Sequence, residues 1–269
     1  MLPLLGVATT IERLRPLCDW VLADQRDLEI QDFSAYQLLE GDWRTRAGEL
    51  RAMLDGYTGR LGIHGPDPGP GTVGSWDPAI RAVNRDRLKR ALEACVEIGA
   101  THMVVHSPFI FLGSHYLPNT PDMGHVEYFE RTRDTLDALL PLAADAGLTF
   151  VIENIWDPHP GLIVGMIRAL ASEQIRMSID TGHAYLSYAR GAMPVDMWIR
   201  EAGELLFHVH LQDTDRYADR HWNPGVGDVN WGAIFEALAA LPHTPRLILE
   251  LRGDPRAAAA WFVARGLAR

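Results

Sequence analysis

Short apolar segments rich in β-branched residues alternate with longer segments of helical periodicity from one end of the chain to the other. Eight segments of the first kind occur, at residues 4–7, 27–30, 60–64, 102–106, 148–153, 175–180, 206–210 and 246–250. This alternation is typical of repeated β-α units around a parallel sheet. A barrel of eight such units usually takes about 250 residues as one domain, and the chain has 269. We therefore predict an α/β fold, a single (β/α)8 TIM barrel over residues 1–269.

Helical periodicity is clearest at residues 84–98, 126–146, 162–171, 231–241 and 255–266. Gly99 and Gly147 follow two of these segments, as helix C-caps often do. The segments after the strands are longer, notably at residues 65–78, 107–124 and 212–230. We expect them to build the active site, because the loops after the strands do so in this fold. Gly225 and Gly227, in the last of these loops, either receive a substrate phosphate or form a plain tight turn.

The composition limits the classes of partner and of chemistry. A formal net charge of −10 opposes binding to a polyanion, because nucleic-acid affinity depends on Lys and Arg side chains that neutralise phosphates. A small-molecule substrate is therefore favoured, and no nucleic-acid partner is expected. Lys89 lies in a charged helical segment, which argues against a lysine Schiff base. Cys18 and Cys95 are not spaced like metal ligands, and we expect them to be buried thiols.

The chain has no feature of a membrane protein. No apolar run approaches the roughly 20 residues that cross a bilayer, and the first residues lack a basic region ahead of an apolar one. We therefore expect a cytoplasmic protein without a membrane partner. The sequence leaves the oligomeric state open, and a homo-oligomer is compatible with it.

Six consecutive strand segments, the third to the eighth, end in a side chain that can bind a metal or exchange a proton: His64, His106, Glu153, Asp180, His210 and Glu250. All strands of a closed barrel end at one mouth, so these side chains should converge. Three carboxylates at apolar strand ends would repel one another and lose hydration unless a cation neutralised them. Carboxylate and imidazole ligands suit Mn²⁺, Mg²⁺, Co²⁺ or Zn²⁺. The sequence therefore predicts a catalytic divalent metal at the mouth.

The seventh strand carries two histidines at different depths. His208 and His210 are two residues apart, so their side chains should point to the same side of the strand. If that side is the barrel interior, His210 lies nearer the mouth and is the better ligand. We expect His208 to lie behind the metal or in the packed core. The sequence identifies no partner for His102, His125 or His243, and we expect structural or solvated roles for them.

Seven segments at or just after the strand ends form an ordered pattern: 61–66 (LGIHGP), 105–108 (VHSP), 151–154 (VIEN), 179–183 (IDTGH), 208–213 (HVHLQD), 221–231 (HWNPGVGDVNW) and 249–250 (LE). In order and spacing these segments resemble the sugar phosphate isomerase/epimerase superfamily. Its xylose isomerase-like TIM barrel is related to apurinic endonuclease family 2. The resemblance extends along almost the entire chain. It implies a metal-dependent isomerase or epimerase of a small keto-sugar or sugar derivative, which transfers a proton through an enediolate.

The same resemblance implies one divalent metal ion, Mn²⁺ before Zn²⁺, Mg²⁺ or Co²⁺, with four ligands: Glu153, Asp180, His210 and Glu250. By similarity to the ketose 3-epimerase branch, Glu153 and Glu250 would also be the catalytic, proton-transferring pair. Contacts to the substrate are assigned to six further residues: His64, His106, His183, Arg216, Asp219 and His221. His159 stands where that branch would have a carboxylate. This departure weakens the case for a ketohexose substrate.

Other activities use similar residues. A metal-dependent lyase on a related keto-sugar would need the same enediolate. An abasic-site DNA endonuclease similar to endonuclease IV would hold three metals with nine residues: His64, His106, Glu153, Asp180, His183, His210, Asp219, His221 and Glu250. The long loops contain no basic cluster to hold duplex DNA, which disfavours this alternative. A regulatory barrel without catalysis should lack ligands, and all four are present.

Overall fold

In a computed structural model the strands of the chain pair in sequence order and close into a barrel, which confirms the predicted fold. The structure describes residues 2–66, 72–109 and 125–269. The strands are β1 (Gly6–Thr9), β2 (Leu28–Ile30), β3 (Leu61–His64), β4 (His102–His106), β5 (Thr149–Glu153), β6 (Ile175–Asp180), β7 (Leu206–Leu211) and β8 (Arg246–Leu249). Each neighbouring pair is parallel, and β1 closes the barrel against β8 through Val7 and Leu249.

The helices within the described residues are α1 (Ile11–Leu14), α2 (Cys18–Asp24), α3 (Tyr36–Glu40), α4 (Trp43–Met53), α5 (Pro78–Ile98), α6 (His125–Leu136), α7 (Leu140–Asp145), α8 (Gly161–Leu170), α9 (Thr181–Ala189), α10 (Val195–Ala202), α11 (Trp231–Ala239) and α12 (Pro255–Val263). None of these helices has both the length and the apolar character that a membrane span requires.

Two predicted helices differ from their predicted bounds by more than a few residues, for identifiable reasons. Helix α5 begins at Pro78 rather than at residue 84, because the Asp77 side chain accepts a hydrogen bond from the Ala79 N–H (2.8 Å) and proline suits a first turn. The helix predicted over 126–146 is two helices, α6 and α7. Pro141 lies in the first turn of α7, where its missing N–H leaves no hydrogen bond unmade.

The first strand lies further along the chain than predicted, at Gly6–Thr9 rather than at residues 4–7. Pairing with β2, rather than local apolar character, sets its position, since Ala8 pairs with Glu29. A Cβ at Gly6 would come within 2.3 Å of the Asp27 carbonyl oxygen, so glycine permits this close approach. Glu250 lies one residue beyond β8, and its N–H still bonds to the Leu211 carbonyl oxygen (3.3 Å).

The apolar core lies between the strands and the helices. Its largest fully buried side chains include Phe33, Phe150, Trp198 and Phe262. Burying a large apolar side chain contributes about 1.5–3 kcal/mol each. Inside the barrel, by contrast, polar side chains are completely buried, among them Glu29, His102, Ser178 and His208. A (β/α)8 barrel usually fills its interior with branched apolar residues, so this polar interior requires a separate explanation.

Candidate metal centre

Four of the predicted residues meet at the C-terminal ends of β5 to β8. Glu153 and Asp180 are the last residues of their strands, while His210 and Glu250 lie within one residue of a strand end. One donor atom from each residue lies within 4.8 Å of the others. His210 Nδ1 is 2.7 Å from Glu153 Oε1 and 3.4 Å from Glu250 Oε2. The structure therefore brings the four predicted ligands together around one point.

Two carboxylates of this group have oxygen atoms without a hydrogen-bond partner, and such oxygens are suited to bind a cation. Glu153 Oε2 and Asp180 Oδ2 are buried and have no hydrogen-bond partner. Burial raises the pKa of Asp180 to about 6, with Glu153 and Glu250 adding repulsion of its negative charge. A bound divalent cation would supply the missing contacts and offset the repulsion between the carboxylates. Three carboxylates with one imidazole form a donor set that such ions accept, so the residues fit the predicted metal.

His64 and His106 form a second donor group with Glu153. Their Nε2 atoms are 3.2 Å apart and lie 3.8 and 3.5 Å from Glu153 Oε2. His64 Nδ1 is 2.9 Å from the carbonyl oxygen of Gly65, to which it donates, so Nε2 is the nitrogen that faces the carboxylate. Burial lowers the pKa of His64, but the nearby carboxylate of Glu153 outweighs this effect and raises the pKa to about 9.

His183, Asp219 and His221 form a third donor group. The Nε2 atoms of His183 and His221 lie 3.5 and 3.0 Å from Asp219 Oδ2. Their Nδ1 atoms lie 3.0 Å from the backbone carbonyl oxygens of Asn154 and Glu250, respectively. The backbone thus orients both rings with Nε2 toward the carboxylate. All nine residues that the three-metal alternative requires are therefore arranged in three adjoining groups.

Two amide side chains connect these groups, and the sequence assigned no role to either. Asn154 Oδ1 accepts from the Asp180 N–H (2.8 Å). Gln212 Nε2 donates to Asp180 Oδ1 (3.2 Å) and to Asp219 Oδ1 (2.7 Å), while its Oε1 accepts from the His221 N–H (2.9 Å). His221 has a left-handed backbone (φ 49°), which this hydrogen bond supports. Gln212 thus holds the carboxylates of Asp180 and Asp219, and Asn154 holds the Asp180 backbone, without adding charge.

Two residues at the second strand were also missed. Gln31, just after β2, donates from Nε2 to Glu250 Oε1 (2.6 Å). Glu29, within β2, lies 2.9 Å from His210 Nε2 and 3.0 Å from His208 Nε2. His208 therefore lies behind His210, as predicted, and is completely buried. A carboxylate inside the otherwise apolar run Leu28-Glu29-Ile30 was the one available signal.

Arg216 lies apart from the three donor groups. Its side chain is exposed, and a hydrogen bond to the Tyr185 side chain raises the pKa of its guanidinium. Tyr185 is buried on α9, close to His183 in the sequence. Arg216 is therefore exposed beside Tyr185 rather than among the buried ligands.

Several N–H groups of the glycine loop after β7 are engaged within the protein. Asp213 Oδ2 accepts from the Gly225 N–H (2.7 Å) and from Trp231 Nε1 (3.1 Å), and Asp213 Oδ1 accepts from the Val229 N–H (3.2 Å). A Cβ at Gly227 would lie 2.2 Å from the Thr214 carbonyl oxygen. Of the two interpretations of this loop, the tight turn matches these contacts, because the Gly225 N–H is not available to a phosphate.

Comparison with known proteins agrees with this architecture. The uncharacterized protein MJ1311 of Methanocaldococcus jannaschii is 23% identical over 210 residues, which cover 75% of this chain and 67% of that protein. The TTHB071 protein from Thermus thermophilus, in a structure soaked with ZnCl2, is 28% identical, with a TM-score of 0.74 over 98% of this chain and 99% of that one.

A D-tagatose 3-epimerase-like protein has a TM-score of 0.75 at 19% identity, over 99% of this chain and 97% of that one, and shares the fold. A family model described as xylose isomerase-like TIM barrel matches residues 10–264 of the chain. This match agrees with the resemblance recognised in the strand-end segments. The chain belongs to the xylose isomerase-like TIM barrel family.

Proposed function

We propose that this protein is a metal-dependent isomerase or epimerase that acts on a small keto-sugar or a sugar derivative. The observation that carries the proposal is a pair of glutamates, Glu153 and Glu250, that both approach Nδ1 of His210 in a buried group. Such a pair can contribute to binding an ion and still exchange protons with a substrate in the mouth of the barrel.

The four residues Glu153, Asp180, His210 and Glu250 would hold the ion, and Mn²⁺ is the favoured occupant. Bound there, a divalent ion would polarise a substrate carbonyl and the neighbouring hydroxyl oxygen, which acidifies the adjacent C–H bond. The protein determines where that bond lies relative to the glutamates. Asp180 is fixed by Asn154 and Gln212, so the negative charge of the site is held in place before substrate arrives.

Glu153 and Glu250 are the proposed proton-transfer groups. One glutamate takes the proton from the carbon next to the carbonyl, and an enediolate forms. The other returns a proton. Return to the opposite face of the same carbon gives an epimer, and return to the neighbouring carbon exchanges the carbonyl and hydroxyl positions. Gln31 holds Oε1 of Glu250, which leaves Oε2 turned toward His210 and the shared centre.

The substrate contacts are proposed for the residues around this centre: His64, His106, His183, Arg216, Asp219 and His221. Imidazole and guanidinium groups donate hydrogen bonds to the hydroxyl and carbonyl oxygens of a sugar. The D-tagatose 3-epimerase-like protein supports the choice of a keto-sugar by its name and its shared fold. The net charge of −10 favours a small substrate over a polyanion.

A second candidate is an abasic-site DNA endonuclease, and one observation favours it. All nine donors of a three-metal site are present in three adjoining groups. In such an enzyme His64 and His106 would be ligands rather than substrate contacts, and so would His183, Asp219 and His221. Sites with several metals are used to hydrolyse phosphate esters. The acidic chain remains the argument against a DNA substrate.

Hydrogen exchange tests the isomerase directly. In D2O, with a panel of keto-sugars, free and phosphorylated, and with Mn²⁺, Zn²⁺, Mg²⁺ or Co²⁺, the wild type should place deuterium on the carbon next to the carbonyl. Glu153→Gln should reduce the exchange rate by about 10²–10⁴-fold, because an acid/base group is lost. Glu97→Gln, which alters a glutamate paired with Arg51 on the outside of the barrel, is the matched control and should exchange like the wild type.

The endonuclease makes the opposite prediction. Metal-dependent incision of duplex DNA at an abasic site, present in the wild type and absent in Glu153→Gln and His221→Ala, would replace the isomerase proposal. Affinity for that DNA would also fall steeply as the salt concentration is raised. Protein binding releases counterions from the phosphates, and this release is less favourable at high salt.

A further inference from the structure

A carboxylate lies beneath the metal centre, deeper in the barrel. Glu29 is completely buried. Its Oε1 is 2.9 Å from His210 Nε2, and its Oε2 is 3.0 Å from His208 Nε2 and 3.5 Å from His102 Nε2. A buried carboxylate is costly unless its oxygens are paired, and here the available partners are imidazole rings. Glu29 takes no part in the proposed ligand set.

Residues on the neighbouring strands leave room for the contacts between Glu29 and the imidazole rings. Glu29 pairs with Gly62 of β3, and Gly62 pairs with His102 of β4. A Cβ at Gly62 would come within 1.9 Å of the His102 ring, so only glycine leaves room for that ring. On β6, Ser178 Oγ lies 2.8 Å from His208 Nδ1 and holds the ring behind Glu29. The arrangement therefore involves side chains from four different strands.

His210 differs from the other oriented histidines of the site. In His64, His183 and His221, Nδ1 lies against a backbone carbonyl oxygen and Nε2 faces the donor group. In His210 the positions of the two nitrogens are reversed. Nε2 lies against Glu29, and Nδ1 faces Glu153. Of these four rings, His210 is thus the one that has a carboxylate rather than a carbonyl as its outer partner.

We propose that Glu29 is a positioning residue for the metal centre. It accepts the Nε2–H of His210, fixes the tautomer in which Nδ1 is free to bind the ion, and makes the imidazole a stronger ligand than a carbonyl partner would. This inference rests on the proposed metal centre. Carboxylate partners of ligating histidines typically change metal affinity by about 10–100-fold.

The test is Zn²⁺ affinity, measured by competition with a chromophoric chelator. Glu29→Gln keeps the size and an acceptor oxygen for His210 but removes the charge, and it should weaken the tightest-bound equivalent of Zn²⁺ by about 10–100-fold. The absorption bands of the Co²⁺-loaded variant should shift as well, which a purely structural role would not require. Asp27→Asn is the matched control. Asp27 immediately precedes β2 and is paired with Arg60, so its variant should bind Zn²⁺ like the wild type.

A measurement on the wild type covers the case in which Glu29→Gln does not fold. Nitrogen NMR of the histidine rings in the Zn²⁺-loaded protein should show His210 bound through Nδ1 and protonated at Nε2. Binding of His210 through Nε2, or unchanged Zn²⁺ affinity and Co²⁺ bands in a folded Glu29→Gln, would overturn the role of Glu29 alone. A wild type that binds no divalent ion would overturn the proposed function and this assignment with it.

Discussion

The layer between strands and helices and the interior of the barrel solve the problem of burial in opposite ways. In the outer layer, side chains such as Phe150 and Phe262 pack against other apolar side chains. Such contacts do not require a specific polar partner. In the interior, Glu29, His102 and His208 are equally buried, and the Nε2 atoms of the two histidines lie 3.5 and 3.0 Å from Glu29 Oε2. The apolar contacts of the outer layer provide the stability that offsets the cost of burying polar and charged groups in the interior.

Charged groups buried in the interior are therefore expected to lower the stability of the metal-free protein. Burial raises the pKa of Asp180 to about 6, which means that its ionised form is held at a free-energy cost. Active sites concentrate such shifted groups. The outer layer contains no comparable conflict among the residues of its apolar cluster. Truncation of a buried apolar side chain in the outer layer should accordingly lower stability, whereas removal of a buried negative charge in the interior should raise it.

The largest effect should come from the outer layer. Phe262 of α12 is fully buried and contacts the rings of Trp231 and Phe235. Phe262→Ala should lower the free energy of unfolding by about 3–5 kcal/mol, because it removes apolar contacts and leaves a cavity. Val263→Ala, at the exposed neighbour, should change it by less than about 0.5 kcal/mol. Urea unfolding measures both, and equal effects would contradict the contribution of the buried apolar layer to stability.

In the interior, removal of a charge should stabilise the metal-free protein. The pKa of Asp180 is raised from its ordinary value to about 6, so unfolding stability is lost as the pH rises from about 4 to 6. At pH 7, Asp180→Asn without metal should exceed the wild type by roughly 1–3 kcal/mol, since one pKa unit corresponds to about 1.4 kcal/mol. At pH 4 the two proteins should be equal.

Urea unfolding with excess chelator at the two pH values provides this comparison. Asp86→Asn, at an exposed position of α5, is the control and should follow the wild type at both. A metal-free Asp180→Asn that is less stable than the wild type at pH 7 would show that the carboxylate is not held under repulsion.

A smaller loss is expected deeper in the barrel. Ser178→Ala removes the hydroxyl that lies 2.8 Å from His208 Nδ1. A single buried hydrogen bond contributes about 1 kcal/mol, so the free energy of unfolding should fall by about that amount. The fall should be the same with and without Zn²⁺, because His208 is not a proposed ligand. A loss confined to the metal-loaded protein would extend the metal centre to His208.

Much of this arrangement could be predicted from the sequence. Strand ends are recognisable because apolar runs stop at His64, Glu153 and Asp180, and the barrel brings such ends to one mouth. The position of His208 behind His210 follows from the alternation of side chains along β7. The third donor group was named residue by residue, but its members came from the resemblance to a family rather than from spacing alone.

The partners of those residues could not be predicted in the same way. Glu29 and Gln31 act across the barrel on His210 and Glu250, and contacts between strands so distant in sequence depend on register. The register of pairing with β2 also explains why β1 lies at Gly6–Thr9 rather than at residues 4–7. Local pattern cannot determine register in a short strand when several offsets would bury similar apolar surface.

Metal binding by the purified wild type tests the central claim most directly. Protein prepared without added cations should be titrated with Mn²⁺ and with Zn²⁺, and the bound ion counted by mass spectrometry of the metal after removal of free ion. At least one tightly bound divalent ion per chain is predicted, with loss of that ion in Asp180→Asn and in Glu250→Gln while both variants keep the wild-type circular dichroism spectrum. A wild type that retains neither ion, or variants that retain both, would contradict a metal centre formed by Glu153, Asp180, His210 and Glu250.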